Sequence, residues 1–292
     1  MNIARRVGVA VALRRRNDGP VPIRAVVFDL DNTLILEDES TFRSIDAAAQ
    51  VASRKMGVDA AALSRSVAEM AEAVWQSSPE YAYGETFGIW WGEALWGDFS
   101  GNDGPMRAMR AFVPDFRESV WRGALAKAGV HDLALARALE REYILVRRSK
   151  ETIDPEAEPL LRSLAVDHRL ALLTNGAGDV QREKLSRTPF GPYFAAVIVS
   201  AEVGVGKPDA RIFKLAAERL GVDPREAVMV GDSLVRDVAG AKSAGMAAVW
   251  IDRDLWSEPD APKPDARIER LSGLPAALDA LARRSSSPRA TS

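Results

Sequence analysis

Cysteine is absent from this 292-residue chain, and histidine occurs only as His131 and His168. The first absence excludes disulfides, thiolate nucleophiles and cysteine-bound metal. The second excludes a histidine-rich metal site. Any hard cation must then be held by oxygen ligands, which points to magnesium or calcium. An excess of basic charge is also missing. The formal net charge is -2, so the chain has no electrostatic footprint for nucleic acid. No apolar run reaches membrane-spanning length, and a cytoplasmic protein is expected. Met1 to Pro22 carries Arg5, Arg6, Arg14, Arg15 and Arg16 around the short apolar run Val7 to Leu13. Arginines follow that run where a signal peptide would place a small-residue cleavage site, so residues 1–22 read as a basic tail. A membrane-surface or targeting role is the alternative for this segment.

What is present suffices for a large core. Hydrophobic residues make up 47% and charged residues 27%, an ordinary globular balance at a length that suggests two domains or one large one. The stretch from Arg24 to Thr33 organises the rest. Ala25 to Phe28 is a continuous apolar run without alternation, as expected of a strand buried on both faces of a parallel sheet. Asp29 and Asp31 follow at the carboxyl edge, where such sheets carry their reactive groups. In extended geometry both point to the same side. Two carboxylates that close repel each other unless one is protonated or a cation sits nearby. The plain alternative is an acidic turn that caps a helix.

From Thr41 to about Leu145 the sequence reads as helices without a strong strand. Leu63, Val67, Met70 and Val74 recur at helical spacing. Leu34 to Ser40 reads as an acidic connection and Gly97 to Pro105 as a loop. From Ile153 onward, helices alternate with the strands Arg169–Thr174, Ala195–Ser200, Ala227–Asp232 and Ala247–Ile251. Such alternation implies right-handed crossovers and a parallel sheet. The expected fold is therefore α/β, a Rossmann-like parallel sheet with helices on both faces and an inserted α-helical bundle. The expected division is a basic tail (1–22), an α/β core (23–38 and 150–284), a helical cap (39–149) and a loose tail (285–292). The insertion hangs off the carboxyl edge, which makes it a natural lid.

Each later strand also ends in polar groups. Thr174-Asn175-Gly176 offers a hydroxyl and backbone N–H groups suited to an anion. Lys207-Pro208 follows the third strand. Gly231-Asp232 ends the fourth, with Asp237 five residues on. Taken singly, these could be a turn, a solvated lysine and an N-cap. Together they gather Asp29, Asp31, Thr174, Lys207 and Asp232 at one sheet edge. The set fits phosphoryl transfer. A carboxylate approaching a phosphate dianion meets about 4 kcal/mol of repulsion per charge pair at 4 Å and an effective dielectric near 20. A divalent cation and a lysine would offset most of it, and oxygen-only ligands favour magnesium. Thr174, nearby N–H groups and Lys207 are the expected clamps on the phosphoryl oxygens.

Asp29-Leu30-Asp31-Asn32-Thr33, Thr174-Asn175-Gly176, Lys207-Pro208 and Gly231-Asp232 through Asp237 resemble, in order and spacing, the four motifs of the haloacid dehalogenase superfamily. The helical insertion resembles that superfamily's bundle-type cap. The resemblance implies a magnesium-dependent phosphatase that hydrolyses a small phosphorylated metabolite. Asp29 would be the nucleophile that forms an aspartyl-phosphate, and Asp31 the general acid and then base. The Asp29 carboxylate, the Asp31 backbone carbonyl and Asp232 would hold Mg2+, with Asp237 orienting metal waters from behind. Thr174, Asn175, Gly176 and Lys207 would bind the phosphoryl group. Asp31 favours phosphate esters over the dehalogenase branch, whose motif resembles this one without the second aspartate. A phosphomutase or phosphotransferase on the same fold, and a non-catalytic module binding metal or phosphate, are the alternatives. A monomer or homodimer is expected. Trp75, Trp90, Trp91, Trp96 and Trp121 read chiefly as packing of the helical block. Tyr83, Phe87 or Trp90 is a candidate wall of the substrate pocket. Arg107 and Arg110, placed in the loop region, are candidates for a second anionic group.

Overall fold

The computed structural model describes residues 22–253 and 262–285. The basic N-terminal tail, except for its last residue, and the final residues beyond 285 lie outside this range. Six parallel strands form one sheet in the order β3-β2-β1-β4-β5-β6. They are β1 (Ala25–Phe28), β2 (Arg169–Thr174), β3 (Ala196–Val199), β4 (Ala227–Gly231), β5 (Ala247–Ile251) and β6 (Ala266–Ile268). The apolar run after Arg24 becomes the central strand. It pairs with β2 through Phe28–Leu172 and with β4 through Phe28–Val230.

The two sides of β1 feed two separate cores, because successive side chains alternate across a strand. Val26 and Phe28 join Leu172 and Val230 on one face. That face is covered by α7 (Ala157–Leu164) and α12 (Leu274–Ser285) through Leu160, Leu161, Leu274 and Leu278. Ala25 and Val27 join Leu173 and Met229 on the other. There α10 (Ala210–Leu220) and α11 (Gly240–Ser243) pack through Ile212, Phe213, Ala216 and Ala241.

Between β1 and α7 the chain makes six helices: α1 (Glu37–Met56), α2 (Ala60–Gln76), α3 (Tyr81–Phe87), α4 (Trp91–Ala94), α5 (Gly104–Lys127) and α6 (Leu133–Ser149). Asp59, Asp103 and Asp132 cap α2, α5 and α6 by accepting N–H bonds from Ala62, Met106 and Leu135. Trp75, Trp91, Trp96 and Trp121 are buried in the core of this block with Phe99, Phe116 and Tyr143. No helix among the described residues is long and apolar enough to cross a membrane. The remaining helices are α8 (Gly178–Ser186) and α9 (Ser200–Val203).

Several local expectations need correction. The acidic connection Leu34 to Ser40 is helical from Glu37, since Glu37, Asp38 and Glu39 complement the positive end of the α1 dipole. The Gly97–Pro105 loop ends at Asp103, so Arg107 and Arg110 lie on α5. Ser200 opens α9 and does not close β3. The helix that follows β4 opens as a π-helix, Leu234–Ala239. β6 lacked a sequence signal: it is three residues long, and its apolar character is broken by Arg267.

The chain leaves and re-enters the sheet at one place. Ile35 bridges Ile153 in antiparallel fashion. Leu36 N–H donates to Thr152 O at 2.7 Å, and Asp154 N–H donates to Leu34 O at 3.1 Å.

Candidate active site

β1 ends on Asp29, whose N–H donates to Val230 O at 2.9 Å and thereby ties it to β4. The turn beyond is held open by Asn32 in the left-handed region, φ 53°, a conformation Asn tolerates. Arg253 braces this turn from outside, donating to Asn32 O at 3.0 Å, Thr33 O at 2.9 Å and Asp154 Oδ2 at 2.7 Å.

Lys207 reaches this edge from the loop after α9. Its Nζ lies 2.6 Å from Asp29 Oδ1 and 2.7 Å from Asp237 Oδ1. Asn175 fixes that loop: its side-chain amide donates to Lys207 O at 3.0 Å, and its Oδ1 accepts from Lys207 N–H at 2.9 Å. The Asn175 side chain is thus bound to the lysine loop. Gly176 was expected to offer its N–H to phosphate, but that N–H donates to Ser200 Oγ at 3.0 Å. Gly176 also lies outside the lining of the pocket. Its backbone has φ 138°, and a β-carbon there would collide with Gln181 Nε2, so it serves to admit that side chain.

Asp237 sits in the π-helical turn and accepts from Ser233 N–H through Oδ2 at 3.1 Å. π-turns of this kind are frequent at functional sites. Gly231 makes room for it, since a β-carbon there would strike the Asp237 carboxyl. Carboxylate oxygens of Asp29, Asp232 and Asp237 lie within 4.8 Å of one another. Asp31 stands apart from this group: its carboxylate accepts from Lys184 Nζ at 3.0 Å on both oxygens and from Gln181 Nε2 at 3.0 Å.

Electrostatics follow from these distances. Burial pushes Asp29 up to about 7, against the pull of Lys207 and with the repulsion of Asp237 and Asp31. Burial also raises Asp232 well above the usual carboxylate range, with Asp29 and Asp237 adding to it. Burial would lower Lys207, but Asp237 and Asp29 more than offset it and hold the ammonium charged. Three carboxylates and one ammonium leave a site with excess negative charge, made only of hard oxygen donors. A divalent cation of the magnesium type fits that set.

A pocket of about 370 Å³ opens over these groups. Asp29, Asp31, Thr174, Asn175, Lys207, Asp232 and Asp237 all line it. Of the aromatic candidates only Trp90 does so. Arg107 and Arg110 do not; Arg110 donates to Phe99 O and Gly101 O, and Arg107 to Asn102 O. Arg236 and Glu85 line the pocket instead.

Sequence reasoning missed Gln181, Lys184, Glu93 and Glu37. Lys184 Nζ is 3.0 Å from Glu93 Oε1 and 3.4 Å from Glu37 Oε1, and it is fully buried. Gln181 donates to Glu93 Oε1 at 2.6 Å. Arg147 closes the cluster, with Nη2 at 2.5 Å from Glu37 Oε2 and Nη1 at 2.9 Å from Glu151. A signal existed. Ala177, Val180, Gln181 and Lys184 follow the i, i+3, i+4, i+7 stripe of one helix face, and two polar residues on a buried stripe mark a polar interior.

Residues 23–245 match the family described as haloacid dehalogenase-like hydrolase. Phosphoserine phosphatase of Thermus thermophilus is 40% identical over 254 residues, covering 85% of this chain and 96% of that protein. Human N-acylneuraminate-9-phosphatase (Homo sapiens) is 34% identical over 173 residues, covering 58% of this chain and 70% of that protein. Among solved structures, the 2-haloacid dehalogenase of Pseudomonas syringae pv. Tomato aligns with a TM-score of 0.52 at 28% identity, covering 88% of this chain and 99% of that one. With its parallel sheet and acidic rim, the chain belongs to the haloacid dehalogenase-like hydrolases and is an enzyme of their phosphatase kind, a hydrolase of phosphoric monoesters.

Proposed function

We propose that this chain is a magnesium-dependent phosphatase for a small phosphorylated metabolite, working through an aspartyl-phosphate on Asp29. The observation that carries the reading is the Lys207 bridge between Asp29 and Asp237 beside Asp232, at the carboxyl edge of the sheet. Asp29, Asp232 and the Asp31 backbone carbonyl would hold magnesium, with Asp237 supporting from behind. When bound, the ion would neutralise the carboxylates and the phosphate dianion.

Asp29 Oδ attacks phosphorus, forming the O–P bond as the bond to the leaving alcohol breaks. Asp31 gives its proton to the departing oxygen and later removes one from the water that cleaves the acyl-phosphate. Lys207 and Thr174 hold equatorial phosphoryl oxygens, with the Asn175 backbone N–H as a further donor. The helical block between β1 and α7 acts as a cap, bringing Trp90 and Glu85 over the pocket.

Phosphoserine is the first substrate to test, on the strength of the Thermus relative. The pocket wall supports an amino-acid phosphate, because it carries Arg236 for a carboxylate and Glu85 for an ammonium group. Purified protein with magnesium should release phosphate from a panel of small phosphomonoesters, with phosphoserine among the best. Asp29→Asn should lower turnover by more than about 10³-fold. No hydrolysis across the panel, together with an inert Asp29→Asn change, would sink the reading.

A further inference from the structure

Behind Asp31, out of reach of anything in the pocket, lies a polar layer that the chemistry above does not use. Gln181 and Lys184 project from α8 into it, and Glu93 descends from α4 of the helical block. None of the three lines the pocket, whereas Asp31 does. Gln181 joins three groups. Its Oε1 lies 3.3 Å from Thr174 Oγ1, and its Nε2 donates to both Asp31 Oδ2 and Glu93 Oε1. Lys184 repeats the link from Asp31 to Glu93 at 3.0 Å on each side. Glu93 Oε2 is buried and has no hydrogen-bond partner. The side chain is therefore held by Oε1 alone, through α8.

α8 is also where the helical block rests. Ala177 and Val180 are buried in the block's own apolar core. Ser100 N–H donates to Asp179 Oδ2 at 2.7 Å, and Arg148 Nε lies 3.2 Å from Glu183. The same helix face thus meets the block through apolar groups and aims two donors at Asp31.

We infer that Gln181 and Lys184 are positioning residues for Asp31, and that Glu93 is the grip through which the seated helical block sets their aim. The inference rests on the role proposed for Asp31. A carboxylic acid transfers its proton only from hydrogen-bond distance and in the right direction. Lys184 and Gln181 fix the rotation of the Asp31 carboxyl from the side away from substrate. Glu93 fixes them only while the block is down, so the acid is aligned only over an enclosed substrate.

The test separates aiming from folding. The kcat/KM for p-nitrophenyl phosphate, whose leaving group departs without a proton, is compared with that for an alkyl phosphate, whose leaving group needs one. Wild type, Gln181→Ala, Glu93→Gln, Lys184→Met and Asp31→Asn are measured with magnesium. The ratio of alkyl to aryl kcat/KM should fall by at least about tenfold in Gln181→Ala and Lys184→Met. It should fall in the same direction in Glu93→Gln, and Lys184→Arg should recover part of it. A merely structural cluster would lower both substrates alike and leave the ratio unchanged. If Lys184→Met does not fold, Gln181→Ala and Glu93→Gln decide alone. A collapsed ratio in Asp31→Asn with a wild-type ratio in those variants overturns the positioning inference. An unchanged ratio in Asp31→Asn overturns instead the role of Asp31 beneath it.

Discussion

Lys207 Nζ stands 2.6 Å from Asp29 Oδ1, although 178 residues separate the two in the chain. The contact joins segments that follow the carboxyl ends of β1 and β3, and the same ammonium bonds Asp237 on its other side. Lys207→Met keeps the stem but leaves two buried carboxylates without their cation. The expected results are a fall in turnover of at least about 10²-fold and a loss of about 3–5 kcal/mol of stability in the metal-free protein. Steady-state kinetics and urea unfolding measure the two effects. Wild-type turnover in Lys207→Met would contradict the assignment.

Gly176→Ala is expected to damage the site without touching a charge. The backbone there has φ 138°, and the new methyl would displace Gln181. A stability loss of about 1–3 kcal/mol is expected. Turnover should fall along with it, because Gln181 contacts both Thr174 and Asp31. Thermal unfolding and kinetics on one preparation check both.

Glu37 supplies a pH signature. Burial would raise its carboxyl, but Lys184 and Arg147 outweigh burial and hold it below the ordinary 4.5. A carboxyl lowered on folding adds stability above its unfolded pKa and gives it up as pH falls through the folded value. The gap in melting temperature between wild type and Glu37→Gln should therefore be full above about pH 4.5 and close as pH drops further. Removing one partner of this buried set should cost about 3–5 kcal/mol at neutral pH. A gap that stays constant from pH 7 to 3 would show that the ion pairs do not contribute.

Ser200 is a clasp between the two parts of the chain. Its hydroxyl donates to Phe87 O at 2.9 Å and accepts from Gly176 N–H at 3.0 Å. Ser200→Ala leaves a buried N–H unpaired at about 1–3 kcal/mol and removes one hold on the turn after α3. A raised KM with a smaller change in kcat is expected, read from saturation curves. An unchanged KM would mean that this contact does not govern closure.

The sheet and the first ring of the site were legible in the sequence because they obey simple periodicities. Ala25 to Phe28 could only be a strand buried on both faces, and Asp29, Thr174 and Asp232 sit where strands end. The second ring was not. Glu93 is in a four-residue helix of an aromatic segment, and Lys184 sits in a helix with four other charged or amide side chains. Glu93 looks like ordinary solvated surface; Lys184 lies on the apolar stripe of α8, but its carboxylate partners come from far along the chain and nothing near it in the sequence names them. Glu37 was hidden for another reason: an acidic triplet is read as a turn unless the helix it initiates is recognised. β6 is too short for any period to show.

The paired linkers at Ile35 and Ile153 have an evolutionary consequence. A module whose entrance and exit adjoin can be lengthened, shortened or replaced while every strand of the sheet keeps its neighbours. In such a design the inserted helices can change without moving the strand ends that carry Asp29, Thr174 and Asp232. Under the positioning role inferred above for Gln181 and Lys184, a replacement would also have to offer them an acceptor in the place of Glu93.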